Sequence, residues 1–141
     1  MNTNERVLEL LNSNDLDTKN IEGSDKYHMF SVGVVGHDDI SLELFFVESD
    51  DDDMISFCSA GLYEYGDDDF VAVLNAMNEM SIKNPFVKPV IIGENSIWLY
   101  YDHKLFNQEV TIEMIRYIIS TLASFGLNLL NKIDEYKAKM N

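Results

Sequence analysis

The chain reads as an α+β protein in which helices flank an antiparallel sheet, in the order α-β-β-β-α-β-β-α. Three observations predict it. Apolar residues recur at period two in runs that follow one another across short polar turns, the pattern of antiparallel hairpins. Helical spacing appears only near the beginning, in the middle and at the end, so helices and strands do not alternate singly as in a parallel sheet. The 141 residues, 46% hydrophobic and 11% aromatic, suffice for one core. No linker or internal repeat divides them, so residues 1–141 are read as a single domain.

Each element has its own signal. Thr3 stands where a cap belongs, ahead of the stripe Val7, Leu8, Leu10 and Leu11, with Glu5 near the positive end of the helix dipole. The side chains of NSNDLD compete for local backbone bonds and end that helix, and DTKNIEGSDK reads as a surface loop. KYHMFSVGVV is a strand with Phe30, Val32 and Val34 on one face. GHDD turns the chain into ISLELFFVE, where Ile40, Leu42, Leu44 and Phe46 alternate with Ser41, Glu43, Phe45 and Val47. The SDDDD turn leads to MISFCSAGLY, which completes a three-stranded meander.

DDDFVAVLNAMNEM switches to helical spacing, with Phe70, Leu74 and Met77 on one side and Val71 and Val73 widening the stripe. The aspartates at 67–69 sit at its cap, and Asn84-Pro85 stops it. FVKPVIIG and SIWLYYDH form a second hairpin around GEN. Pro89 has no N–H for a ladder, which places its strand at an edge or a bulge. Over residues 111–139, Ile112, Ile115, Ile119, Leu122, Gly126, Leu129, Ile133 and Tyr136 keep a 3–4 spacing. A helix of that length spans roughly 40 Å, more than a compact domain of this size requires. Either Gly126 interrupts it, or its end packs on something outside its own core.

Charge is distributed unevenly. Residues 1–70 hold 18 acidic and 3 basic side chains, whereas residues 71–141 hold 7 of each, so the first half carries the whole net charge of −15. Such a field repels phosphate backbones and anionic headgroups, which argues against nucleic acid and membrane surfaces as partners. The opening MNTNERVLELLNSND carries charges where a signal peptide needs an apolar core, and the single cysteine gives no disulfide framework. A cytoplasmic protein is expected.

The candidate chemistry is thin. A calcium loop needs oxygens at its first, third and fifth positions and glycine at its sixth. Counted from Asp50 those last two are Met54 and Ile55, and counted from Asp51 they are Ile55 and Ser56. The run at 50–53 is therefore read as a solvated turn that discourages edge pairing, and the run at 67–69 as a helix entrance. His28, His37 and His103 are scattered and Cys58 has no suitable neighbour, so no zinc set is expected. Cys58, between Phe57 and Ser59, reads as a small packed residue, and the seven glycines stand singly with no phosphate loop. Trp98, Tyr100 and Tyr101 read as sheet core and amphipathic cover before they read as a ligand platform. No catalytic, metal or cofactor residue is expected, and the chain is read as non-enzymatic.

FVAVLNAMNEMS followed by FVKPVIIGENSIWLYYDHKL, and then TIEMIRYIISTLASF, resembles the YbjN-domain family, related in fold to type III secretion chaperones. That resemblance implies a chaperone-like or regulatory binding module that pairs as a homodimer. The half-apolar strand face and the oversized last helix suit holding another polypeptide. The expected contact residues are Phe45 and Val47 on the sheet and Ile119, Leu122, Leu129 and Ile133 on the last helix. The alternative is an acidic inhibitor or immunity-type protein that neutralises a basic partner through the acids at 48–53 and 64–69.

Overall fold

The computed structural model describes residues 1–34 and 37–140, without the side chains of 34 and 37–41. Its elements are α1 (Thr3–Ser13), β1 (Lys19–Asn20), β2 (Tyr27–Val34), β3 (His37–Val47), β4 (Met54–Glu64), α2 (Phe70–Lys83), β5 (Val87–Ile92), β6 (Ser96–Lys104) and α3 (Ile112–Met140). A 3-10 turn, Asp67–Asp69, leads into α2. The six strands form one antiparallel sheet in the order β1-β2-β3-β4-β6-β5. The turn expected at Gly36 and the inward placing of Val34 and Ile40 lie outside the described residues. The backbone of 37–39, expected in that turn, already belongs to β3, with His37 paired to Val34.

The α+β order stands, with one added strand. Within the expected loop, Lys19 pairs with Met29 and Asn20 with His28. Two residues are too few to show a period, so side-chain chemistry sets the pairing: His28 is buried and its Nδ1 lies 2.8 Å from Asn20 Oδ1. At the opposite edge Pro89 lies in β5, where a missing donor leaves no central ladder open.

Alternation assigns the inner face. Phe30, Leu44, Phe46, Ile55, Phe57, Ile97, Leu99 and Tyr101 are buried in one cluster with Val7 and Leu11 of α1, Val73 and Ala76 of α2, and the apolar side of α3. All three helices therefore pack on the same side of the sheet. The cap of α1 is Asn2, one residue before the expected Thr3: its Oδ1 accepts the Glu5 N–H at 2.8 Å. Thr111 Oγ1 accepts the Met114 N–H at the start of α3.

Two helices differ from expectation in instructive ways. α2 buries Ala72, Val73, Ala76 and Met80, while Phe70, Val71 and Leu74, expected in its core stripe, are exposed. Small alanines let α2 lie close against α3, and that fit outweighs the bulk of the residues on the other side. α3 runs unbroken through Gly126 for 29 residues, about 43 Å. Its far end packs within its own domain: Ile133 is buried, Tyr136 Oη donates to Glu79 Oε1 at 3.2 Å, and Lys132 and Lys137 reach Glu79 and Asp69 at 2.9 and 3.3 Å.

Candidate functional site

The sheet has a second face that no helix covers among the described residues. The strand registers align Met29, Phe45, Cys58, Tyr100 and Lys88 in one row across β2, β3, β4, β6 and β5, with Lys19 of β1 opposite Met29. A neighbouring row is Tyr27, Val47, Ser56 and Asp102, and on the other side Trp98 pairs with Val90. The aromatic side chains organise this face. Tyr27 meets Phe45 edge-on with centroids 6.4 Å apart, and Trp98 stacks on Tyr100 at 6.4 Å and 19°. Such pairs add to area burial in fixing ring orientation.

Neither Phe45 nor Cys58 belongs to the inner cluster, yet both are buried. Burial pushes the Cys58 thiol up to about 12. Burial also raises the Tyr100 phenol, with smaller contributions from Cys58 and Tyr27. The middle of this face is thus apolar, with half-exposed Tyr27, Met29, Val47, Val90, Trp98 and Tyr100 standing around the buried Phe45 and Cys58.

Of the expected contact residues, Phe45 and Val47 lie on this face. Ile119 is half-buried beside an apolar groove of about 400 Å³ that Leu16, Val32, Ala123 and Leu127 also line. Leu122, Leu129 and Ile133 are buried in the chain's own core, which corrects their expected place on a contact surface. A stripe on one amphipathic helix looks the same whether a sheet of the same chain or a partner covers it. Tyr27, Met29 and Val90 are absent from the expected set, although each alternates with inward residues and period two marks them. Trp98 and Tyr100, set aside as cover, lie on the same face.

The aspartate runs have internal work that their spacing does not reveal. Lys104 Nζ sits 3.3 Å from Asp51 and 3.4 Å from Asp53. Asp51 Oδ1 accepts the Asp53 N–H at 2.9 Å, Asp52 Oδ1 accepts the Thr3 N–H at 2.8 Å, and Asp53 Oδ1 accepts the Asn107 N–H at 2.7 Å. The turn therefore ties the start of α1 and the loop after β6 to the start of β4, and is more than the solvated turn expected. The Asp53 N–H, then Lys104, hold the Asp51 carboxyl below the usual aspartate range. In the second run, Asp69 makes no side-chain cap bond and pairs with Lys137 instead. Among the described residues, no three His, Cys, Asp or Glu side chains group in a way that could hold a metal ion. None of their helices is long and apolar enough to cross a membrane.

An antiparallel six-stranded sheet with three helices on one face and an aromatic surface on the other defines an α+β protein of YbjN-like fold. The solved structure of YbjN, a candidate transcription regulator from E. coli, superposes with a TM-score of 0.62 at 11% identity, over 90% of this chain and 88% of that one. Likeness at that identity concerns the fold alone. No family model and no curated protein sequence matches the chain.

Proposed function

We propose that the protein is a non-enzymatic, cytoplasmic protein-binding module that pairs with a second copy of itself through the outer sheet face. The observation that carries this reading is the apolar row Met29–Phe45–Cys58–Tyr100 on a face that no helix covers among the described residues. Its size suits a dimer. Six strands spaced about 4.8 Å apart and some seven residues long offer roughly 600 Å² in projection, close to the ~800 Å² per partner of a standard interface once side-chain relief is added. Its charge suits one too. Among the described residues Lys19, Lys88 and Lys104 balance Glu43, Glu64 and Asp102 on this face, whereas the whole chain carries −15. Two such acidic molecules can approach closely only where the charge is locally balanced.

The non-enzymatic reading is supported by the sealed Cys58 and by aspartates already engaged within the chain. A regulatory role like the one named for YbjN would act through protein contacts, because the negative field opposes duplex DNA. Light scattering after size exclusion tests the pairing. We expect twice the 16.2 kDa chain mass for the wild type and the chain mass for Val47→Asp and Trp98→Asp, with unchanged circular dichroism. A wild type that stays monomeric at high concentration overturns it.

A further inference from the structure

The exposed side of α2 is a second apolar surface, on the helical layer and so on the other side of the molecule from the sheet face. Phe70, Val71, Leu74 and Ile82 are 43%, 54%, 37% and 83% exposed. Val71, Leu74, Asn78 and Ile82 follow a spacing of three to four residues along about 16 Å of helix. A solvent-facing helix side normally carries charge, but the exposed residues from Val71 to Ile82 are Val71, Leu74, Asn75, Asn78 and Ile82, and the exposed Lys83 stands only at the far end. At the N-terminal end of the strip stand Asp67 and Asp68, both exposed. Among the described residues these two have no cation within 4 Å, in contrast to Asp50, Asp51, Asp53 and Asp69, which pair with lysines. The positive end of α2 explains why Asp67 and Asp68 are tolerated there. It does not explain three large apolar side chains beside them.

We propose that this side of α2 is a docking surface for a basic amphipathic helix of another protein. The apolar side of the incoming helix lies along Phe70, Val71 and Leu74, and its lysines or arginines meet Asp67 and Asp68. Charge complementarity selects this occupant: an acidic or neutral helix would leave two adjacent carboxylates without a counter-charge at the rim of a dehydrated patch. The surface does not depend on pairing through the sheet, and either can fail alone.

The test uses the full-length ¹⁵N-labelled chain, titrated with an 18-residue leucine/lysine amphipathic peptide, its leucine/glutamate counterpart and a lysine/serine peptide. Amide shifts confined to residues 67–82, produced by the leucine/lysine peptide alone, are expected. Val71→Ser with Leu74→Ser should weaken that binding at least tenfold, and Asp67→Asn with Asp68→Asn should remove most of its salt dependence. Both pairs are exposed, and unchanged circular dichroism checks their folding. Shifts spread over the whole acidic surface or centred on the outer sheet face overturn the proposal. Equal affinity for the serine double variant does so as well, as does loss of self-association in that variant, which would make α2 the homodimer contact.

Discussion

Replacing Gly126 with alanine sets two known effects against each other at the point where α3 crosses the sheet. In a helix interior glycine costs about 1 kcal/mol relative to alanine, mostly through the freedom it loses on folding. The added Cβ would stand 3.1 Å from Leu62 Cδ1 and 3.6 Å from Leu99 Cδ1. Comfortable carbon contacts lie near 3.5–4.0 Å, so the Leu62 methyl must yield by roughly half an ångström. It has room, because Leu62 follows Gly61 in the irregular stretch of β4 and lines a groove of about 330 Å³ with Leu127 and Leu130. Turning the side chain partly off its rotamer costs about 0.5–1.5 kcal/mol. The two effects nearly cancel, and Gly126→Ala should change stability by less than about 1 kcal/mol. In a Leu62→Ala background the obstruction is gone and the same substitution should stabilise by about 1 kcal/mol, so the double-mutant cycle shows coupling. Gly126→Leu should cost about 1–3 kcal/mol by overpacking. Urea unfolding followed at 222 nm, at one fixed protein concentration, reads all four variants. If Gly126→Ala alone destabilises by more than about 2 kcal/mol, or its effect is the same with and without Leu62, close approach is not why glycine stands there.

The α3 stripe is tested the same way: Leu129→Ala and Ile133→Ala, both buried, should each cost about 2–5 kcal/mol, and half-buried Ile119→Ala clearly less. Equal small losses would return that stripe to the surface. The Asp51 carboxyl is held below its ordinary range, so its contribution to stability is complete above about pH 4 and is lost as pH falls further. Lys104, raised chiefly by its bond to Asp51, contributes fully below about pH 10 and loses this only in stronger base. Asp51→Asn should therefore flatten the acid limb of the pH–stability curve, and an unchanged limb would remove Asp51 from the account. With its thiol pushed up to about 12 and fully buried, Cys58 should resist iodoacetamide at pH 8 in the native protein and react at once in urea. Rapid native alkylation would mean that the outer face opens.

Period-two runs made the strands legible because each has one face fixed by the core. Leu44 and Phe46 are buried inward, and Phe45 and Val47 point the other way, as alternation requires. Pro89 marked its edge because a missing donor has one structural meaning. α2 was misread for an equally physical reason. Both its sides are apolar, and the choice between them depends on how closely Ala72 and Ala76 approach α3, which no single-helix pattern contains. The aspartates at 50–53 were read correctly as a turn but not as a junction. Their partners, Thr3, Lys104 and Asn107, lie about fifty residues away on either side. Of the candidate surface, alternation marks the strand residues, but that no helix of the described residues covers it depends on α1, α2 and α3 all packing on the other side, which no strand pattern contains.

Salt separates the two proposed surfaces, because they answer it with opposite sign. Two chains of charge −15 whose centres lie roughly 30 Å apart repel by about 1.5 kcal/mol in 0.1 M salt, taking water's dielectric constant and a Debye length of about 10 Å. At 0.5 M little of that remains. A dimer formed through the charge-balanced sheet face gains no attraction that salt could screen, so its Kd should fall on the order of tenfold over that range. A basic helix on α2 should behave in the opposite way and weaken steeply as Asp67 and Asp68 are screened. Sedimentation velocity at 0.1 and 0.5 M sodium chloride measures the first, and peptide titration at the same two concentrations the second. A dimer that dissociates at 0.5 M cannot be held by the balanced face, and its contacts would have to be sought among the acids.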